Sequence, residues 1–109
     1  MPGTSRPDPM DVELRDNEEK ERFEGVVEGK VAGYVRYHRR ANDGAVVLIH
    51  TEVDPAYEGE GVGSALARSV LDRMRAQGTK IVARCPFIVG YIKRHPEYEP
   101  LLASGHAYR

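Results

Sequence analysis

The chain has 109 residues, enough for one modest core and too few for a second lobe. Its 16 basic and 17 acidic residues leave a net charge of −1, which argues against nucleic acid as the main partner. The apolar runs are too short to span a bilayer, the N-terminus lacks a charged-then-apolar secretory pattern, and the single cysteine, Cys85, forbids an intramolecular disulfide, so a cytoplasmic protein is expected.

In chain order, residues 1–9 are rich in proline and small polar residues and read as a flexible tail, leaving residues 10–109 as a single domain. A short strand is expected from Asp11 through Leu14, with the charged cluster Asp16 to Glu21 as a turn into a second strand from Arg22. Glu28-Gly29 is a tight connection into Lys30 to Arg39, where Val31, Gly33, Val35 and Tyr37 alternate with Ala32, Tyr34, Arg36 and His38. Asp43-Gly44 then turns the chain into Val46 to Val53, completing an antiparallel meander. Beyond it, Val62, Leu66, Val70 and Met74 recur every fourth residue, predicting a helix that Gly78 ends. Ile81 to Ala83 is a short strand bounded by Cys85-Pro86, and Phe87 to Arg94 a second helix stopped by His95-Pro96. Tyr98, Leu101 and Leu102 are apolar positions able to dock, and the last few residues are expected to be mobile. The fold class is α+β, a mixed and mainly antiparallel sheet with two helices.

The chemistry concentrates between Thr51 and Ser64. A strand there meets alternate glycines, Gly59, Gly61 and Gly63, and then a helix start, whose unpaired N–H groups and positive dipole end suit an anion such as phosphate. A dinucleotide fingerprint fits poorly, because antiparallel strands precede the glycines. A Walker loop fails because no lysine and Ser/Thr pair follows them. The bland alternative is an ordinary tight turn.

Four ordered motifs then carry a likeness: Ile49-His50-Thr51-Glu52-Val53, Gly59 to Ser64, Cys85-Pro86, and Tyr91 to Tyr98. Over roughly residues 11–102 the chain resembles the GCN5-related N-acetyltransferases, and within them a small branch with a Cys-Pro motif. The resemblance implies acetyl-coenzyme A as co-substrate, with no metal, and a primary amine on a small molecule or protein lysine as acceptor. It implies that Gly59, Glu60, Gly61, Val62, Gly63 and Ser64 hold the pyrophosphate, and that the pantetheine arm runs along Thr51, Glu52 and Val53. Two departures are visible: Glu58 stands where the family usually has Gln or Arg, and the two helices usual between the first strands have no room.

For the transfer itself the candidates are His50, Cys85 and Tyr91. His50 suits a base for the incoming ammonium or a hydrogen-bonded core position. Tyr91 sits where the superfamily has a tyrosine that protonates the coenzyme sulfur, or packs a helix. Cys85, ahead of Pro86 at a helix start, is either a small buried hydrophobe or a thiolate able to take the acetyl group covalently. His95 is a weaker candidate base. A non-catalytic module that binds coenzyme A or an acyl-coenzyme A is the alternative function.

Overall fold

The computed structural model describes residues 12–103. The expected N-terminal tail, residue Asp11 and the last few residues lie outside them. Five strands, β1 (Glu13–Asn17), β2 (Arg22–Val27), β3 (Lys30–Arg39), β4 (Val46–Val53) and β5 (Ile81–Ala83), form one sheet in the order of the chain. The first four are antiparallel neighbours and β5 runs parallel to β4. Helix α1 (Val62–Gln77) connects β4 to β5, α2 (Pro86–Arg94) follows, and a 3-10 segment, Pro96–Leu101, closes the described chain. No helix among these residues is long and apolar enough to cross a membrane.

Local chemistry explains most boundaries. Glu28 and Gly29 both take positive φ, 51° and 82°, giving the two-residue turn whose twist matches a hairpin. Gly78 at φ 68° ends α1, its N–H reaching the Arg75 carbonyl while Thr79 N–H reaches that of Met74. Pro86 opens α2, where its missing N–H costs nothing. One expected boundary is corrected: β1 continues to Asn17 instead of stopping at Leu14. Its charged residues lie along the sheet edge, where Asp16 accepts a hydrogen bond from Tyr37 at 2.6 Å.

Phe23, Val35, Tyr37, Val46 and Leu48 project from one sheet face onto Leu66, Val70, Leu71 and Met74 of α1 and Ile88 and Ile92 of α2, forming one core. A small second cluster of Val47, Val82 and Ala103 lies on the other face. Two irregularities break the strand alternation. Ala32 has no cross-strand partner in the β2–β3 register, so Ala32 is buried while Val31 is turned outward, against the simple alternation expected of β3. Ile49 is skipped in the β3–β4 register, where Arg36 faces His50 but Tyr37 faces Leu48.

Glu24 is the one buried charged residue among those described. Asn17 and Arg22 both donate to Oε2, at 3.0 and 2.8 Å. The Asn17 hydrogen bond is the largest influence and, with Arg22, holds the carboxyl below its ordinary value against the opposing effect of burial. A carboxyl lowered by folding stabilises the protein fully above its unfolded value, near 4.5, and that contribution disappears as pH falls through the folded value. The difference in urea midpoint between the parent and Glu24→Gln is therefore expected to shrink as pH drops from roughly 5 to roughly 3. A constant difference across that range would contradict the assignment.

Candidate functional site

The site is built where β4 outruns β5. Their pairing stops at Leu48 and Ala83, and the N–H groups of Arg84 and Cys85 both turn onto the Leu48 carbonyl at 3.0 Å. From Ile49 to Val53, the β4 edge facing away from β3 has no strand partner. The skipped residue Ile49 decides what that segment presents. Before it, Val46 and Leu48 face the helices; after it, Thr51 does, and its Oγ1 lies 3.3 Å from Cys85 Sγ. His50 and Glu52 consequently face the opposite, solvent side, their Nε2 and Oε1 atoms 3.0 Å apart. Tyr34 from β3 donates a longer hydrogen bond to the same Glu52 oxygen at 3.4 Å, and Arg22 lies over the Tyr34 ring.

After β4, the carboxylate of Asp54 accepts from the Ala56 N–H at 2.8 Å and sets a single 3-10 turn, Pro55–Tyr57. Gly59 and Gly61 follow at φ 84° and 83°, a region where a side chain would be strained. Gly61 occupies the N-cap of α1, no side chain caps this end, and its first turn holds no acidic residue. The N–H groups of Val62, Gly63 and Ser64 thus lack intrahelical partners and point out of the helix end. They border an open cleft of about 250 Å³ lined by Val53, Tyr57, Glu58, Gly59, Gly61, Gly63 and Phe87. Gly63 lets the cleft floor close in: a Cβ there would lie 3.1 Å from the Phe87 ring, tight enough that the ring would have to give, and 3.6 Å from Val53.

The predicted residues are therefore distributed as follows. The glycine turn, Val62, Ser64 and Val53 share one cleft, and Thr51 meets Cys85, which is only 2% exposed. His50 and Glu52 pair on the other side of the same strand. Glu60 is exposed, its N–H bonded to the Tyr57 carbonyl at 3.3 Å. Tyr91 is buried, stacked on His95 with ring centroids 4.2 Å apart and 6.1 Å from the Tyr98 ring. Burial pushes its phenol above the usual value, and Arg68, Asp72, Glu97 and Arg94 are the charges that act on it, all from α1, the end of α2 and the segment after it. Tyr98 donates to Asp72 at 2.7 Å; burial first, then that bond, raises its phenol as well. Phe87 and Tyr34 escaped sequence reasoning. Phe87 could have been noticed as an apolar residue in the first turn after Pro86, whereas Tyr34 carried no signal beyond strand alternation.

Residues 22–101 match the sequence model of the GCN5-related N-acetyl-transferase family, more than half of the chain. The curated relatives include Protein NATD1 of Gallus gallus, Mus musculus and Homo sapiens, each 39% identical over 51 residues. That segment is 47% of this chain, and it spans about half the length of these relatives, 46% or 45%. Among solved structures, a GCN5-like protein from Staphylococcus aureus superimposes with a TM-score of 0.59 at 22% identity, covering 89% of this chain and 87% of that one. A ribosomal-protein-alanine N-acetyltransferase from Brucella melitensis biovar Abortus superimposes at 0.50 with 21% identity, covering 77% and 62%. These two likenesses establish the shared fold. With the family match over residues 22–101, they make this chain a member of the GCN5-related N-acetyltransferases.

Proposed function

We propose that the protein transfers acetyl from acetyl-coenzyme A to a primary amine. One observation carries this reading: an uncapped helix end opens on a cleft that reaches Val53, the last residue of an unpaired strand edge that begins where β4 and β5 part. The amides of Val62, Gly63 and Ser64, with the backbone from Gly59 to Gly61, would receive the diphosphate. The pantetheine amides would pair with the free edge of Thr51 to Val53 as an added strand does. The thioester would then lie beside Thr51 and Cys85.

The acceptor would arrive from the solvent side, where His50 stands. An Nε2–H donated to Glu52 leaves Nδ1 unprotonated, so this nitrogen can take the proton of an ammonium. The freed amine attacks the acetyl carbonyl, the C–N bond forms, the C–S bond breaks, the proton held by His50 passes to the thiolate, and the second proton lost by the attacking nitrogen leaves to solvent. Cys85 lines the slot without being acetylated in this route, and Cys85→Ala should retain turnover. Tyr91 acts in packing. Glu58 and Glu60 beside the diphosphate seat favour the second reading, a module that binds the coenzyme without turnover.

The decisive test is calorimetric titration with acetyl-coenzyme A, followed by thiol detection across a panel of amines. Binding with amine-dependent thiol release is the expected result. Binding without release would leave the module, and absence of binding at millimolar ligand would remove both. Two variants examine the chemistry. His50→Gln is expected to lower kcat/KM by on the order of a hundredfold with coenzyme affinity retained. That deficit should narrow towards the acceptor's own pKa, about 10.4 for a lysine-type amine, where the amine is already neutral. Tyr91→Phe should stay within about threefold of the parent; a tenfold or larger loss in kcat would return the acid role to this phenol.

A further inference from the structure

On the sheet face opposite the helices, β3, β4 and β5 frame a groove of about 440 Å³ that the proposed transfer does not use. Its lining divides by chemistry: Val47, Ile49 and Val82 are apolar, while His38, Arg40 and Arg84 are basic. Resting on the acetyltransferase reading, we infer that this groove seats the tail of the acceptor and selects amines that carry a carboxylate on an apolar linker.

Three observations argue for that occupant. First, position: the groove abuts the proposed reacting centre. Ile49 precedes His50, Arg84 precedes Cys85, and the Arg84 and Cys85 N–H groups both grip the Leu48 carbonyl where the strands part. Because Ile49 is skipped in the register, it is turned outward at 40% exposure instead of joining the core. Second, charge: Arg40 is occupied by Asp43 at 2.6 Å and His38 lies 4.0 Å from Glu21, but Arg84 has no partner among the described residues. Arg36, the cross-strand neighbour of His50, is likewise unpaired. Arg36 on β3 and Arg84 just after β5 thus stand uncompensated near His50 and Ile49, and guanidinium groups match a carboxylate. Third, the apolar floor asks for methylenes between the two charged ends, and a groove of this size suits a small molecule.

The matched probes are 6-aminohexanoate, hexylamine and 1,6-diaminohexane, which share a six-carbon chain and differ in the far end. With saturating acetyl-coenzyme A, kcat/KM measured by thiol release should be about fivefold higher for 6-aminohexanoate than for hexylamine, the gain of one solvent-open ion pair, and lowest for the diamine. In Arg84→Gln the ratio should fall to near one. This variant keeps the backbone bond that ties residue 84 to the sheet, so folding should persist. A second readout needs no turnover: at about 10 mM, 6-aminohexanoate should shift the backbone amide resonances of Val47, Ile49, Val82 and Arg84 more than hexylamine does. Equal rates for the three amines would overturn the inference, as would equal amide shifts. Shifts of the same amides with protein concentration alone would also overturn it, because they would assign the face to a second copy of the chain. If no amine releases thiol, the acetyltransferase reading fails, and the amide shifts still decide whether the groove binds the carboxylated amine.

Discussion

Replacing Gly63 with leucine is expected to abolish acetyl-coenzyme A binding while leaving the fold in place. The missing Cβ at Gly63 is what lets the Phe87 ring and Val53 close to within 3.1 and 3.6 Å of that point, at the floor of the cleft. A leucine there would occupy the space in front of the first α1 amides. Hydrogen bonds to a charged partner are worth about 1.5–3 kcal/mol each, so losing two raises Kd at least a hundredfold. The fold has less to lose. Leucine is a better helix former than glycine by up to about 1 kcal/mol, and the obstructing ring is the end of a half-exposed side chain that can swing aside. Calorimetry and a melting curve on the same sample separate the two effects. Retained binding would mean that the ligand does not use this cleft; a large drop in Tm would mean that the variant tests only folding.

The second large effect falls on stability. Gly33 pairs with Val53 at the end of the β3–β4 ladder, and a Cβ on Gly33 would lie 2.7 Å from the Glu52 carbonyl oxygen and 3.3 Å from Val53 Cα. Backbone cannot swing aside as a ring does. Gly33→Ala must move β3 and β4 apart, while Leu66 of α1, 3.5 Å away and fully buried, closes the space on the helix side. Overpacking of this kind costs about 2 kcal/mol, roughly 10 °C in Tm for a domain of this size. Gly90 in α2 is the control: the nearest atom is the end of the Arg94 side chain at 3.6 Å, so Gly90→Ala should match or exceed the parent. Equal melting of the Gly33 and Gly90 variants would show that the strand ends tolerate separation. Because Thr51 to Val53 is also the proposed pantetheine edge, Gly33→Ala should weaken coenzyme binding even at temperatures where it remains folded.

The two glycines differ in how they could be found. Gly63 belongs to a spaced pattern, and the turn chemistry of Gly59 and Gly61 is local: both need positive φ, which a side chain resists whatever surrounds it. Gly33 looked like any strand position, because its constraint is a carbonyl oxygen contributed by another strand.

The same division runs through the molecule. The sequence by itself determined the ends of β3, β4, α1, β5 and α2, since turns, caps and apolar periods act over three or four residues. It also carried the likeness to the family, whose match runs over residues 22–101. Only the tertiary structure decided which way the strand residues face. A period-two pattern cannot reveal a skipped residue, yet the one at Ile49 turns Thr51 toward Cys85 and His50 toward solvent. Only the tertiary structure, too, put Tyr91 among His95, Tyr98 and the charges of α1, surroundings contributed by segments up to two dozen residues away. Short-range geometry is encoded where it acts, whereas the company a side chain keeps depends on register and packing that no single segment contains.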